Sequence, residues 1–353
     1  MHTAEILNVV KIFLPTALTF AIGILLTPRL TGLMYKHKLW KKRKRTEDTE
    51  ITNEHFSKVS DAEAEVSTPR VGGVIIWLSV TASIFITWLI SKAFPSDLSS
   101  KLDFLSRGQT LVPLASLLLG AGIGLVDDIA QIRGSIDRIG HRYTKIFTVA
   151  IIGLLIGFWF YSKIGMSAIA LPFLGTHLVL GAFFVPFFII VLIAVFSGSV
   201  IDGMDGLAGG VLAIIFAAYA AIAFGKNLVD IAALCGVISG GIMAFLWFNI
   251  PPARFYMGEN GILGLLVVLT VVAFLTDTVL LLPLIALPLA ATTASNIIQI
   301  VGYKYFGKRR VFKIAPLHHH FHALGWSREK VVMRYWVVSV ICAIMGVVIA
   351  LIS

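Results

Sequence analysis

The chain has 353 residues, of which 58% are hydrophobic and only 14% are charged, and its formal net charge is +10. A soluble domain of this length would carry about a quarter charged residues. The composition excludes an ordinary soluble globular protein and favours one whose surface lies mostly in a bilayer.

Ten apolar stretches of bilayer length, roughly 20 residues each, follow one another along the chain. The first precedes Thr-Pro-Arg and lacks a small-residue cleavage site, so we expect a retained span and not a signal peptide. Pro283 and Pro288 predict a kink in the ninth span. We predict an all-α, polytopic membrane protein, one transmembrane domain over 1–353 with a charged loop at 36–68. The spans lie near 12–34, 71–90, 111–126, 144–161, 178–196, 207–224, 229–248, 262–276, 279–301 and 333–352.

The basic residues predict the orientation of these spans. Of the 29 Lys and Arg residues, 23 fall on one side of the membrane and six on the other. By the positive-inside rule the richer side is cytoplasmic, so both termini point outward. The same division places 14 of the 19 acidic residues on the cytoplasmic side. Because no folded domain presents a basic face, we do not expect nucleic-acid binding.

An adjacent acidic pair, Asp127-Asp128, ends the third apolar stretch. Neighbouring carboxylates repel each other, so the pair is favoured where a cation or a shared proton lies nearby. Both could bind Mg²⁺, or one could bind metal while the other acts as a base. A polar helix end facing water is the plain alternative. The glycines before the pair are not a dinucleotide-binding motif, because no strand–helix unit surrounds them. We expect them to permit close helix packing.

Two further loops on the same side carry acidic groups. Asp202 and Asp205 are flanked by glycines, which would admit a ligand close to the backbone, whereas a helix cap would account for only one of them. The next loop combines Asn249, Tyr256 and Glu259. Its tyrosine could stack on a nucleobase or anchor the loop at the membrane interface.

Three consecutive histidines, His318, His319 and His320, occupy the last cytoplasmic loop. Consecutive residues cannot all face one side of a helix or strand, so a three-histidine zinc site is not expected. Imidazole titrates near neutrality, and phosphate binding or acid–base chemistry fits better.

The four loops share one predicted face of the membrane. A proton-coupled transporter would place its ionisable residues near the bilayer midplane. The residues themselves therefore predict metal-assisted chemistry at the inner surface on an anionic substrate, which could carry a nucleotide. A transporter of an anionic lipid or nucleotide is the alternative from another class.

Motifs in these loops resemble those of the phospho-N-acetylmuramoyl-pentapeptide transferase family, within the polyprenyl-phosphate N-acetylhexosamine-1-phosphate transferase superfamily. The resemblance covers nearly the whole chain. Its most specific part is the triple histidine after Ala-Pro-Leu, followed by GW at 325–326. The other motifs are HFSK at 55–58, TPRVGG at 68–73, LVDD at 125–128, the Arg142–Lys145 segment, DGMDGLAGG at 202–210 and WFNIPPARFYMGE at 247–259.

The resemblance implies transfer of phospho-N-acetylmuramoyl-pentapeptide from its UDP carrier, UDP-MurNAc-pentapeptide, to undecaprenyl phosphate, with Mg²⁺ as cofactor and UMP as product. It further implies a bacterial inner-membrane enzyme of peptidoglycan synthesis, embedded in membrane lipid, homodimeric, with a cytoplasmic active site. Asp127 is its preferred base or nucleophile. The full implied set is catalytic Asp127, Asp128, His318, His319 and His320; metal-binding Glu259; and substrate-binding Lys58, Lys145, Asp202, Asp205, Asn249 and Tyr256.

The chain departs from the family pattern at several positions. Glu259 stands where the family has aspartate, and Gln131 where its Asp-Asp motif ends in lysine. Phe196 and Ser199 replace two asparagines, and His322 replaces the acid after the histidines. Glutamate is a good Mg²⁺ ligand, but its extra methylene moves the metal unless the backbone compensates. A sister transferase that uses another UDP-N-acetylhexosamine is therefore the alternative enzyme.

Overall fold

A computed structural model describes residues 3–41, 66–95, 108–134, 138–307 and 310–353. Lys58, predicted to bind substrate, lies outside these residues. In the described part of the chain the α-helices are α1 (Thr3–Lys36), α2 (Val74–Ala93), α3 (Gly108–Arg133), α4 (Arg138–Trp159), α5 (Phe184–Phe196), α6 (Leu207–Gly225), α7 (Val229–Asn249), α8 (Gly258–Leu275), α9 (Leu282–Ile285), α10 (Leu287–Tyr305), α11 (Leu317–Ala323) and α12 (Arg328–Ile352).

Nine helices within the described ranges are long and apolar enough to cross a membrane, and the segments Val279–Ile285 and α10 make a tenth span if counted together. The predicted polytopic, all-α fold is confirmed. The ninth span differs in detail, because the sequence predicts one kinked helix over 279–301 and the structure bends there by 85°. Pro288 explains the break, since it lacks a backbone donor and would clash with the preceding turn, whereas Pro283 lies in the first turn of α9, where proline is tolerated.

The centre of the bundle is formed by α6, α7 and α8, which are the most buried spans of the described residues. Around them, α1 packs on α7, α12 on α6 and α3 on α8. Close approach of α3 to α8 requires glycine. A Cβ on Gly124 would lie 2.2 Å from the Glu259 carbonyl oxygen, and one on Gly120 would lie 2.9 Å from the Cα of Gly264. The expected role of these glycines in close helix packing is therefore confirmed.

At the opposite end of the bundle from the Asp127 region, a short antiparallel hairpin joins α4 to α5. Its strands are β1 (Ala168–Leu171) and β2 (Thr176–Val179). The Asp277 carboxylate, just after α8, accepts hydrogen bonds from the Ala170 N–H at 3.0 Å and from His177 at 2.9 Å. The sequence does not predict this hairpin, because its four-residue strands are too short to establish an alternating pattern.

Candidate active site

Asp128 joins α3 to the first turn of α8. Its carboxylate accepts hydrogen bonds from the backbone N–H groups of Glu259 (3.0 Å) and Asn260 (2.9 Å), and from the Asn260 amide (2.8 Å). The side chain is only 1% exposed. Donors at a helix N-terminus lack partners within the helix, and a carboxylate there also complements the helix dipole. These contacts hold the backbone of Glu259 in place, so Asp128 has a positioning role beneath the site.

Asp127 lies on the other side of the same helical turn and faces a more open space. Its Oδ2 accepts hydrogen bonds from the Lys145 ammonium at 2.8 Å and from the Gln131 amide at 2.8 Å. Lys145, at the start of α4, also reaches Glu259 Oε1 at 2.7 Å. Asp127 and Glu259, which are 132 positions apart in the sequence, therefore meet at one cation.

The aspartate pair is not at the end of its helix. The helix α3 continues for more than a turn beyond it, to Arg133. Because both aspartates are inside a helix, their side chains diverge by about 100°. Asp128 is buried, whereas Asp127 faces Lys145 and Glu259, in the region that we call the cleft. Helical geometry thus separates two carboxylates that the sequence presents as a pair.

The loop between α5 and α6 lies against the loop between α7 and α8. Asp205 Oδ2 accepts the Ala253 N–H at 3.1 Å. Asn249 is buried, and its amide is used at both ends: Oδ1 accepts the Gly206 N–H at 2.9 Å and Nδ2 donates to the Phe255 carbonyl at 2.8 Å. Asn249 therefore holds the two loops in register.

Asp202 lies where these loops approach Glu259. Its carboxylate accepts a hydrogen bond from the Gly258 N–H, and the Arg70 guanidinium and the Glu259 carboxylate are close enough to influence it. Burial raises the pKa of Asp202 to about 6, against the opposing influence of Arg70. An acid with such a pKa beside other carboxylates is typical of a functional site.

The histidine helix α11 packs on the same Asp202 loop. A Cβ on Gly203 would lie 2.4 Å from His318 Nε2 and 3.1 Å from His319 Nε2, so both rings contact the loop where only glycine fits. Burial and the neighbouring His319 hold the pKa of His318 well below its usual value, so this imidazole is neutral near neutral pH. Within the described residues neither ring nitrogen of His318 has a hydrogen-bond partner.

His320 faces another direction. Its Nδ1 accepts the Lys313 N–H at 3.2 Å, and its pKa is lowered by partial burial and by Lys313. As consecutive helical residues, the three histidines do not form one cluster. The structure brings His318 and His319 to the Asp202 loop and leaves His320 at the edge.

Tyr256 is half-buried, and its backbone is tied to the segment before α2. Its N–H donates to the Pro69 carbonyl at 2.8 Å, and its carbonyl accepts the Gly72 N–H at 2.9 Å. The tyrosine therefore sits between the Asp202 loop region and the TPRVGG motif. Sequence reasoning missed Arg70 in this motif and also Asn260, whose signal was a polar residue in the first turn of an otherwise apolar helix.

The carboxylates of Asp127 and Glu259 fit a divalent cation. Their oxygens lie 2.8 and 2.7 Å from the same Lys145 nitrogen, so both reach one cation position. Mg²⁺ is commonly held by one or two carboxylates together with substrate phosphates and water. No group of three or more His, Cys, Asp or Glu side chains suited to a metal occurs in the described ranges. The substrate would therefore complete the shell.

Comparison with known proteins now places the chain. Residues 110–277 match the family described as Glycosyl transferase family 4. A phospho-N-acetylmuramoyl-pentapeptide-transferase of a Thermoanaerobacter species is 32% identical over 333 residues, which are 94% of this chain and 96% of that protein. The chain belongs to the phospho-N-acetylmuramoyl-pentapeptide transferase family.

Other members of the transferase family match in the same way. Proteins of that name from Rubrobacter xylanophilus and Chloroflexus aurantiacus are 33% and 32% identical. The matches cover 78% and 82% of this chain, and 81% and 78% of the relatives. The region matched as Glycosyl transferase family 4 contains Asp127, Asp202 and Glu259, whereas the histidine helix α11 lies beyond it.

Proposed function

We propose that this chain transfers phospho-N-acetylmuramoyl-pentapeptide from UDP to undecaprenyl phosphate, forming lipid I and UMP. A lipid phosphate oxygen forms a new bond to the sugar-linked phosphorus. The bond from that phosphorus to the bridging oxygen of the diphosphate breaks, and UMP leaves with that oxygen. Several relatives that match over most of their length bear the name of this transferase.

The observation that carries the proposal is the convergence of Asp127 and Glu259 on one cation beside the Asp202 loop. Phosphoryl transfer needs little covalent chemistry from the protein and depends on positioning and on balancing charge. An acidic cleft with a cation position at its centre meets that need for a diphosphate substrate.

Glu259 would hold Mg²⁺, which would supply neutralisation of the diphosphate charge when bound, and Asp127 lies beside Glu259 as the reacting carboxylate. The Lys145 ammonium contacts both carboxylates and contributes positive charge beside them. Asp128 holds the start of α8, so that Glu259 projects into the cleft. Gly124 lets the backbone of Glu259 approach α3 closely.

Asp127 is the reacting carboxylate: either it removes the proton of the lipid phosphate, or its oxygen attacks the sugar-linked phosphorus of the UDP-substrate, UMP leaves, and the lipid phosphate then displaces the carboxylate. The two routes differ in one measurement. A phosphoryl-enzyme would exchange labelled UMP into UDP-substrate without any lipid acceptor, whereas direct transfer would show no exchange. Substrate contacts come from Asp202, Asp205 and Tyr256 for the nucleoside and from His318 and His319 beside them, with Asn249 holding the loops. Lys58 is proposed to bind phosphate.

The test is UMP release by the purified chain in detergent with Mg²⁺, undecaprenyl phosphate and a panel of UDP-N-acetylhexosamines. We expect release with UDP-MurNAc-pentapeptide. Release with a different UDP-sugar alone would identify a sister transferase. A transporter would release no UMP with any of them, because detergent abolishes the compartments that it needs.

The proposal places the site on the cytoplasmic face of a bacterial inner membrane, with both termini outside and two copies in the functional unit. Support for the orientation comes from the division of basic residues, 23 against six. Cysteine introduced at Asp127, Glu259 or His319 should resist labelling from outside intact cells, and efficient labelling would contradict the orientation. The mass of the purified protein after subtraction of detergent tests the dimer.

A further inference from the structure

Arg70 lies at the edge of the candidate site, and its backbone is held by hydrogen bonds and close packing. Its N–H donates to the Leu39 carbonyl at 2.9 Å, and the preceding Pro69 carbonyl accepts the Tyr256 N–H at 2.8 Å. On the other side, a Cβ on Gly258 would lie 1.9 Å from the Arg70 carbonyl oxygen. The arginine backbone is thus pressed against the residue that precedes Glu259.

The Arg70 side chain has a charged neighbour, but its Nε has no hydrogen-bond partner among the described residues. It lies near enough to Asp202 to oppose the rise in the pKa of that carboxyl. Its Nε is nevertheless shielded from solvent and has no hydrogen-bond partner, and across the described residues the guanidinium forms no ion pair. Buried donors are nearly always paired, because an unpaired one loses its hydration without compensation. The unpaired Nε of Arg70 therefore indicates a partner that arrives with the ligand.

The charge balance of the cleft indicates which ligand this is. Lys145, the other cation placed at the carboxylates, already contacts both Asp127 and Glu259. A diphosphate that enters this acidic cleft needs a positive charge that is not already paired with a carboxylate. Arginine presents several N–H donors in a planar fork that matches phosphate oxygens.

We propose that Arg70 binds the diphosphate of the UDP-linked substrate through its guanidinium. The inference rests on the proposed function for the identity of that substrate. Arg70 would contact substrate directly, and its positive charge would also offset the repulsion between Asp202 and the diphosphate. The nucleoside itself would be held elsewhere, by the loops around Tyr256.

Calorimetry of the full chain in detergent, with UDP and uridine as probes and Mg²⁺ present, tests this assignment. Arg70→Gln should weaken UDP binding about 10- to 150-fold, as expected for loss of a charged hydrogen bond. Uridine has no phosphate, so its affinity should stay unchanged. Arg70→Lys should fall in between, because lysine keeps the charge and loses the fork. Arg133→Gln, which removes the same charge at an exposed position on α3, is the matched control and should bind UDP normally.

Three outcomes would overturn the assignment: no UDP binding by the wild type, unchanged UDP binding in Arg70→Gln, or equal loss of UDP and uridine with a lower melting temperature. The last would mean that Arg70 orders the TPRVGG segment. UMP release by the wild type is measured in parallel. Absence of turnover together with Arg70-dependent UDP binding would reject the proposed reaction and leave the Arg70 assignment standing.

Discussion

The two ends of this helical bundle use charged residues differently. At the end that bears the β1–β2 hairpin, called the outer end after the proposed orientation, the buried Lys11 in α1 and Asp230 in α7 form an ion pair across 219 positions of sequence. Asp277 is similarly engaged with the Ala170 N–H and His177 of the hairpin. Both of these acidic groups have their partners inside the protein.

At the inner end, the charged and polar groups are only partly paired within the described residues. Asp127 and Glu259 share one ammonium group, and the nitrogens of His318 and the Nε of Arg70 lack hydrogen-bond partners within the described residues. The comparison teaches that a charge at the membrane boundary is a weak functional signal by itself. What distinguishes a binding site from a structural clamp is polar groups whose partners are absent from the fold.

The strongest test of this comparison is Asp127→Asn. Removing a general base typically costs about 10²–10⁴-fold in rate, so kcat should collapse. UDP-substrate binding measured by calorimetry should stay within a few-fold of wild type, because the proposed role of this carboxylate is in the chemical step and not in holding the UDP-substrate. If binding and thermal stability fall together with turnover, Asp127 merely orders the site. Full activity in this variant with loss only in Asp128→Asn would exchange their roles.

The outer end should respond in the opposite way. Asp230→Asn leaves the Lys11 ammonium buried without its charge partner, which costs about 3–5 kcal/mol in such pairs. We expect a much lower apparent melting temperature in detergent but normal turnover by the protein that remains folded. The double change Lys11→Met with Asp230→Leu should recover most of the stability. Loss of turnover in folded Asp230→Asn would show that the outer pair also serves the reaction.

Glu259→Gln tests the cation position at the inner end. It removes one charge at nearly constant shape. Mutation of residues that only support a metal ligand typically weakens metal binding about 10- to 100-fold. Loss of the ligand itself should therefore raise the Mg²⁺ concentration needed for activity by at least that factor. Glu259→Asp is the control, since it keeps the charge and should retain activity. Normal Mg²⁺ dependence in Glu259→Gln would assign the metal to another residue.

Tyr256→Ala tests whether the inner loops hold a nucleobase. Base–aromatic stacking is worth about 1–3 kcal/mol, which corresponds to a rise in KM for the UDP-substrate of about 5–150-fold. Tyr256→Phe keeps the ring and should change KM little. Equal damage from both substitutions would favour a role for the hydroxyl group and count against stacking.

The smallest expected effect concerns Asp202 and pH. Its pKa in the folded protein is raised to about 6 from 3.8, so its favourable contribution to stability is present below about pH 4 and lost as pH rises through about 6. In metal-free buffer near pH 8, Asp202→Asn should therefore melt about 1–4 °C above wild type. The difference should shrink towards about pH 4. Glu329→Gln, at an exposed carboxylate, should show no such pH dependence, and a lower melting temperature for Asp202→Asn would contradict the argument.

Much of this protein follows from local sequence. Apolar stretches of bilayer length predict the spans because hydropathy needs no knowledge of neighbouring chain segments. The motifs that contain Asp127, Asp202, Glu259 and His318 can also be identified from the sequence, because polar residues stand out next to apolar helices. The sequence predicts that these motifs share one face of the membrane, but it does not predict that they meet in one cleft.

Only the tertiary structure decided what each of these groups contacts. Asp127 and Asp128 look equivalent in sequence, but α8 supplies donors to one and leaves the other facing Lys145. The outer Lys11–Asp230 pair joins helices that are distant in the chain. Hydrogen bonds and ion pairs depend on positions within a few tenths of an ångström between segments far apart in sequence, whereas hydropathy and helix period are properties of each segment alone.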